Sequence, residues 1–310
     1  MRIALAFPAY TKLPPRYLDD NTGDITALAG TTARFELVLN KDIADARIVF
    51  SDSQSVPLAL HGASADASVR LMQDRAYHFA LTDAAGIANA HPITYTMTIV
   101  PDLPPTVQII DPEPQANLDE SMRLPVLSRI GDDFGFSKLI LHYRLAASKF
   151  EEPSESFTSI VLPLPSAQKT ELDVPYVWNL SSLGLAPEDV VNYFLEVFDN
   201  DNVRGPKSSR SQIYSVRLPS IEEVFAKADK TQEKAVEDLQ KALTGADDVQ
   251  KQIEKLQREM KQQNTEKLDW QQKRKLEETL KRQEKILDDV KRVKEQMSKL
   301  DQDMQKQNML

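Results

Sequence analysis

The chain shows two different patterns of hydrophobic and polar residues, which meet at about residue 219. Up to that point, short runs alternate between apolar and polar residues and are separated by proline, glycine and aspartate. In one such run Phe35, Leu37 and Leu39 share a face at a period of two. Leu139 and Leu141 begin a similar face in another run. This alternation predicts antiparallel strands with one buried face and one wet face.

The strand-like part contains two similar cycles. Tyr77 precedes Asp83 by six residues in the first cycle, and Tyr193 precedes Asp199 by six in the second. A glycine-containing turn and a last strand with a tyrosine follow each pair, and a proline-rich linker at Pro101–Thr106 separates the cycles. About seven short strands in roughly 100 residues, found twice, predict tandem immunoglobulin-like sandwiches. The predicted domains are residues 1–102 for the first sandwich, 103–218 for the second and 219–310 for a helical region.

From residue 219 onward the chain is polar, with apolar residues three and four positions apart. This spacing predicts helices with a narrow apolar seam. Ser220 and Glu223 form a capping box that predicts the helix start. We expect breaks near Gly245 and near residues 264–268. The seam positions predicted to contact a partner are Leu276, Leu280, Leu287 and Val290.

The predicted fold class is a multidomain β plus α protein. Two tandem immunoglobulin-like β-sandwiches are followed by a long helical coiled-coil region. The seam is too narrow for a lone helix to be stable, because isolated helices gain most of their stability from packing. The partner would be the neighbouring helix, another copy of the chain or another protein.

The charge is unevenly distributed between the two parts. The 310 residues carry a formal net charge of −9, but residues 219–310 hold 20 Lys and Arg against 20 Asp and Glu. The 18 basic and 27 acidic residues before them therefore account for the whole charge. An acidic β part and a neutral helical part argue against nucleic-acid binding. The N-terminal M-R-I-A-L-A-F is too short an apolar run for a signal peptide, and no run approaches a membrane span.

Motifs for catalysis are absent from the sequence. The four histidines are scattered, and the chain has no cysteine, no G-x-S-x-G, no P-loop and no G-x-G-x-x-G. We therefore expect a protein that is not an enzyme, with histidines at surface or sheet positions and no cofactor apart from a calcium ion considered next.

One acidic turn has the residue types of a calcium site. Asp199 and Asp201 alternate with asparagines in D-N-D-N, and alternate oxygen ligands in a tight turn suit Ca²⁺. The EF-hand spacing is not met, because no glutamate stands at its twelfth position. Aspartate and asparagine are also the residues that ordinary turns favour. The plain turn is the preferred interpretation, and calcium is the alternative.

Three basic residues follow that turn, and they allow two interpretations. Arg204, Lys207 and Arg210 could bind an anionic polymer or a glycan. The preferred interpretation is that they pair with the nearby acids and orient the first helix. The acids in reach along the sequence are Asp199, Asp201, Glu222 and Glu223.

Several segments resemble a bacterial family of membrane-anchored proteins with immunoglobulin-like repeats and coiled coils, the domain of unknown function 4175. The matching segments are P-A-Y-T-K-L-P-P-R at 8–16, G-D-D-F-G-F-S-K-L at 131–139 and D-N-D-N-V-R-G-P-K-S-S-R-S at 199–211, with L-P-S-I-E-E-V-F and D-W-Q-Q-K-R-K-L-E-E-T-L-K-R-Q after them. The resemblance implies a location at the cell envelope, with the sandwiches outside the cytoplasmic membrane. This sequence departs from the family by lacking the membrane segment, so we expect a fragment whose membrane contact lies in a missing part.

The sequence therefore predicts a non-enzymatic cell-envelope scaffold or protein-interaction protein. The sandwiches would act as spacer or recognition modules, and the helices would mediate association with other proteins or with a second copy. The alternative is a binding module for an anionic polymer or glycan at residues 199–210, with or without Ca²⁺.

Overall fold

A computed structural model describes residues 1–165, 169–263 and 270–307 of the chain. Within these residues the chain forms 19 β-strands in four sheets and two α-helices, with short 3₁₀ helices at Ala9–Thr11 and Ser181–Leu183. The protein is therefore mostly β-sheet.

The first ten strands build one sandwich of two five-stranded sheets. One sheet has the order β2-β1-β4-β8-β7 and the other β3-β10-β9-β5-β6, with β3 parallel to β10. Their inner faces enclose a core around Phe35, Ile48 and Tyr77. The strands are β1 Arg2–Ala6, β2 Arg16–Tyr17, β3 Ile25–Leu28, β4 Thr32–Val38, β5 Ile43–Phe50, β6 Ser55–Pro57, β7 Ala59–His61, β8 Ser64–Arg70, β9 Arg75–Asp83 and β10 Tyr95–Val100.

The next nine strands build a second sandwich. A three-stranded sheet, β11-β13-β16, faces a six-stranded sheet, β12-β19-β17-β14-β15, in which β18 also pairs with β17. Leu139 and Leu141 are fully buried in its core, as their alternation predicted, and Trp178 packs beside them. The strands are β11 Thr106–Asp111, β12 Gln115–Asn117, β13 Arg123–Gly131, β14 Phe136–Ala147, β15 Thr158–Leu162, β16 Glu171–Asn179, β17 Val190–Asp199, β18 Ser208–Arg210 and β19 Tyr214–Arg217.

The two sandwiches repeat one strand arrangement. In each, a short strand runs parallel to the last strand, and the last strand also pairs antiparallel with a long strand, β9 in the first sandwich and β17 in the second. Tyr77 faces Tyr95 across β9 and β10, and Tyr193 faces Tyr214 across β17 and β19. The ring centroids lie 5.5 and 5.9 Å apart. Both β-rich domains therefore have the immunoglobulin- and fibronectin-like sandwich fold.

The predicted long coiled-coil region is wrong. Besides the 19 strands, the described residues contain only two α-helices, α1 at Ile221–Gln263 and α2 at Trp270–Gln307. A Cβ on Gly245 would lie 3.2 Å from Ile286, and the hydroxyl of Thr279 lies 3.4 Å from the side chain of Gln252. These contacts make α1 and α2 an antiparallel pair. Each helix covers the seam of the other, so the apolar spacing is satisfied locally by a two-helix pair.

The predicted break near Gly245 is also wrong. Helix α1 runs without interruption through this residue. Glycine normally weakens a helix, but here its missing side chain allows the close approach to Ile286. The break predicted at residues 264–268 lies outside the described residues.

The predicted capping box is present at the start of α1. The amide of Glu223 donates to Ser220 Oγ, and the amide of Ser220 donates to Glu223 Oε2, each at 3.1 Å. Glu223 Oε2 also accepts from Arg217 of β19 at 2.7 Å. The first turn of α1 is therefore bonded to the last strand of the second sandwich.

Candidate functional site: the joint between the two sandwiches

Four loop segments from different parts of the chain meet between the sandwiches. They are the 3₁₀ helix at Ala9–Thr11, the linker between β10 and β11, the β13–β14 loop at residues 132–135 and the β17–β18 loop at residues 200–207. We call this meeting point the joint. It collects polar side chains that lie far apart in the sequence.

An ion cluster around Lys207 occupies the centre of the joint. The Lys207 ammonium lies 2.5 Å from Asp199, 2.9 Å from Asp102 and 3.4 Å from Asp201. The side chains of these aspartates are 1%, 9% and 3% exposed, respectively. Asp102 belongs to the linker, so Lys207 connects the linker to the second sandwich. Removing one partner from such a buried ion cluster leaves the others uncompensated.

The acidic turn has the hydrogen bonds of an ordinary aspartate turn. Asp199 Oδ1 accepts from the amides of Asp201 and Lys207, at 3.3 and 2.8 Å. Asp201 Oδ1 accepts from the amides of Val203 and Arg204, at 2.7 and 3.1 Å. Bonds from an aspartate to backbone amides a few residues on are typical of turns. The second oxygen of each carboxylate faces the Lys207 ammonium.

The calcium hypothesis for Asp199 and Asp201 stays a prediction. In the parts of the chain that the structure describes, no group of three or more His, Asp or Glu side chains is arranged to hold a metal ion. The ammonium of Lys207 supplies the positive charge next to these carboxylates.

Direct contacts join the first sandwich to the second across the joint. The Tyr10 hydroxyl donates to Asp102 at 3.1 Å, and the Tyr10 ring packs edge-to-face on Phe134 at 5.8 Å. Asn200 Nδ2 donates across the joint to the carbonyl of Tyr10 at 3.4 Å, and within the second sandwich to the carbonyl of Phe134 at 2.8 Å. Arg204 donates to the carbonyl of Met72 at 2.9 Å. These bonds fix the orientation of the sandwiches at several separated points.

Close packing supplements these hydrogen bonds at Gly30. A Cβ at this position would lie 2.7 Å from Val203 and 3.3 Å from Pro8. The backbone φ of Gly30 is +82°, a conformation that favours glycine. Glycine is therefore required here both by the backbone and by the neighbouring β17–β18 loop.

The acids of the β13–β14 loop are less acidic than usual. Partial burial, together with the charge of Asp102 and a hydrogen bond to it, raises the pKa of Asp133 to about 6. Burial also raises the pKa of Asp132, although the amides of Phe134 and Gly135 oppose it. Asp132 and Asp133 thus lie within electrostatic reach of Asp102, one of the three aspartates that contact the Lys207 ammonium.

In the ion cluster itself, the pKa shifts of Lys207 and Asp201 favour the charged forms. Burial lowers the pKa of Lys207, but its bonds to Asp199 and Asp102 outweigh that effect and leave the pKa raised. Burial opposes ionisation of Asp201, yet the amides of Val203 and Arg204 and the charge of Lys207 hold its pKa below the usual range. Both shifts favour the charged forms, so the Lys207–Asp201 ion pair is charged at neutral pH.

The three predicted basic residues do not form one patch. Arg204 bonds the first sandwich, and Lys207 lies in the ion cluster. Arg210 pairs with Glu196 at 3.1 Å and lies over the ring of Phe194. Of the predicted pairings, Lys207 makes those with Asp199 and Asp201. Glu223 pairs instead with Arg217, which was not among the predicted residues. The loop thus orients the sandwiches. Binding of an anionic polymer or glycan there stays a prediction.

Glu196 belongs to a second polar group, on the outer face of the larger sheet of the second sandwich. It lies 2.9 Å from His142, whose ring stacks on Phe194 with centroids 4.7 Å apart. Burial opposes ionisation of Glu196, but its bonds to Arg210 and Ser208 dominate and lower its pKa. His142 is thus a sheet histidine with a carboxylate partner.

The predicted seam residues of α2 face different surroundings. Leu276 is half-buried, whereas Leu280, Leu287 and Val290 are exposed. The buried positions of α2 include Thr279 and Val293 instead. The residue of α2 that is buried against α1 is therefore Thr279, one position before the predicted Leu280.

Sequence reasoning missed several residues of the joint, among them Tyr10, Asp102, Phe134 and Asn200. Asp102 stands between prolines in P-D-L-P-P, where a stiff linker explains the prolines but not the aspartate. That unexplained charge was the available signal. No local pattern indicated its partners, because they are 92 and 105 residues away.

Comparison with protein-family models and with curated proteins gives no match. The resemblance to the bacterial family named above is untested by these comparisons and stays a prediction.

Solved structures similar to the chain are sandwich modules. Fibronectin(III)-like modules of CbhA from Clostridium thermocellum are 10% identical, over 66% of this chain and 94% of that chain, with a TM-score of 0.23. A marsupial T cell receptor is 9% identical, over 64% and 71%, with a TM-score of 0.30. A chimeric titin Z1Z2 tandem is 12% identical, over 64% and 95%, with a TM-score of 0.21. At such TM-scores these likenesses carry no functional argument, and the fold assignment rests on strand order.

Among the described residues, neither helix combines the length and the apolar character needed to cross a membrane.

Proposed function

We propose that this protein is a non-enzymatic interaction module in which the two sandwiches form a rigid spacer. The helix pair is its contact element, held at one end of the spacer. The observation that carries the proposal is the joint. Linkers between independent domains make few contacts across the boundary, whereas here an ion cluster, an aromatic pair and a closely packed glycine cross it.

The attachment of α1 supports the second half of the proposal. The capping box and the bond from Arg217 to Glu223 direct the helix away from the last strand of the second sandwich. The joint fixes the second sandwich relative to the first, and the capping box fixes α1 relative to the second sandwich. Such a spacer can hold the helices at a set distance from the first sandwich. We place this module at the outer face of a bacterial cytoplasmic membrane, as the family resemblance implies.

Distance measurements between the sandwiches test the spacer directly. The chain has no cysteine, so Val38→Cys with Val161→Cys gives two specific spin-label sites, at residues 83% and 69% exposed. We expect a narrow distance distribution that broadens with Lys207→Met. Lys149→Met is the matched control, because its ammonium pairs with Glu188 at the surface, 2.6 Å away. A broad distribution in the unsubstituted background contradicts the proposal.

The location is tested separately. A membrane-impermeant maleimide applied to intact cells is expected to label Val38→Cys in the full-length gene product. Labelling that requires cell lysis contradicts an outer location.

A further inference from the structure

The helix pair retains an exposed apolar face after its seam is filled. On α1, Val236 and Leu243 directly follow the buried Ala235 and Ala242. On α2, Leu280 directly follows the buried Thr279, and Leu287 follows Ile286, which contacts Gly245. The eight apolar side chains concerned are 37–66% exposed: Ile221, Phe225, Val236, Leu239, Leu243, Leu280, Leu287 and Val290.

These side chains lie on the same side of the pair. Each helical residue is rotated about 100° from the one before it, so a residue after a seam position lies at the seam's flank. Because α1 and α2 run in opposite directions, the flank that follows the seam on α1 and the flank that follows it on α2 face the same way. Phe225 stands 18 residues, or about five turns, before Leu243 and extends the face along α1.

We propose that the apolar face binds the same face of a second copy of this chain, so that two helix pairs form a four-helix dimer. This inference rests on the proposed role of the helices as contact element, and it names the partner. A self-complementary patch that meets its own copy around a two-fold axis is the commonest arrangement in protein oligomers.

The area of the face is sufficient for a stable dimer. Eight apolar side chains of which about half is exposed offer roughly 90–100 Å² each, or about 750 Å² per copy. Stable interfaces bury about 800 Å² per partner. Flanking polar side chains supply the remaining area, so a stable dimer requires that the second copy cover the whole apolar face.

The charge distribution favours a second copy over an acidic or basic partner. The net charge of −9 lies in residues 1–218, and the helical part is neutral. Two copies therefore repel through their sandwiches and can approach through their helices. Charged residues stand one helical turn, or four positions, after several apolar residues of the face. They are Asp229 and Asp247 on α1, and Glu284, Lys291 and Lys294 on α2. Placing α1 of one copy along α2 of the other brings the α1 acids close to the α2 lysines.

Sedimentation equilibrium of the full chain, from about 1 to 100 μM, tests the inference. We expect a reversible dimer for the wild type. Leu243→Gln with Leu287→Gln is expected to weaken dimerisation at least tenfold. The matched control is Val38→Gln with Val161→Gln, which removes two even more exposed apolar residues from the sandwiches and should leave the dimer unchanged.

Folding of the helices is checked by circular dichroism at 222 nm, where the helix variant and the wild type should agree. A second variant, Val236→Gln with Leu280→Gln, changes other residues of the same face and is expected to dissociate as well. If the wild type remains monomeric, the proposal that a second copy binds the apolar face is wrong. A dimer that survives both helix variants overturns the proposed face. Neither result affects the distance measurement between the sandwiches, because that measurement depends only on the joint.

Discussion

Replacing Lys207 by methionine tests the ion cluster most directly. Methionine keeps most of the length and apolar stem of lysine but removes the ammonium. Asp102, Asp199 and Asp201 would then lose a shared cation at distances of 2.5–3.4 Å. The turn amides would continue to hold the first oxygens of Asp199 and Asp201.

The expected cost follows from burial. Breaking a buried ion pair by removing one partner costs about 3–5 kcal/mol. Lys207 itself is 28% exposed, and the turn amides remain, so we expect the lower end, about 3 kcal/mol in the free energy of unfolding. Lys149→Met also breaks a lysine–carboxylate pair in the second sandwich, but its partners are 62% and 36% exposed. That variant should lose at most about 1 kcal/mol.

Urea unfolding followed by tryptophan fluorescence measures both variants. Of the two tryptophans, Trp178 is 2% exposed in the core of the second sandwich, whereas Trp270 is 69% exposed on α2. The change in fluorescence therefore reports chiefly on the second sandwich. If Lys207→Met costs no more stability than Lys149→Met, the buried ion cluster does not stabilise the joint.

Three other substitutions test the pH dependence, the packing and the helix start. The pKa of Asp133 is raised from 3.8 to about 6, so its ionisation costs stability as the pH rises through that range. Asp133→Asn should therefore exceed the wild type by about 1 kcal/mol at pH 7.5, after discounting for exposure, and match it below about pH 4 in urea unfolding. Gly30→Ala should cost about 1–2 kcal/mol and broaden the distances between the sandwiches, because it strains φ and displaces Val203; the control Gly62→Ala has a similar positive φ and open space. Ser220→Ala should lower helix stability by about 1 kcal/mol, measured by thermal melts at 222 nm, and Ser220→Thr should restore it.

The sandwiches could be predicted because their signal is local. Alternation at a period of two places Leu139 and Leu141 in the core whatever the strand order is. The repeated tyrosines were also informative, since Tyr77 and Tyr193 occupy the same place in both cores. Such features follow from a few consecutive residues and from repetition of the pattern.

The helical part shows where local reasoning fails. Apolar residues three and four apart predict a seam, but they do not state how far the helix extends or what covers the seam. Gly245 was interpreted as a break because glycine lowers helix propensity. Its contact with Ile286 of α2 is a tertiary interaction, and it overrides that propensity. The same spacing predicted Leu280 as a seam residue, whereas the neighbouring Thr279 is the buried one.

The aspartates that end β9 and β17 explain why the turn could be predicted and the joint could not. Asp83 and Asp199 each accept hydrogen bonds from backbone amides of the following loop, and each pairs with a lysine. The lysine of the first cycle, Lys41, is 54% exposed, whereas Lys207 is 28% exposed and also reaches Asp102. The turn is therefore encoded in the loop itself and recurs in both sandwiches. The joint arises where the linker passes that turn in the second sandwich, which depends on the path of the whole chain. Asp102 gives the turn of the second sandwich a partner in the linker that the turn of the first sandwich lacks.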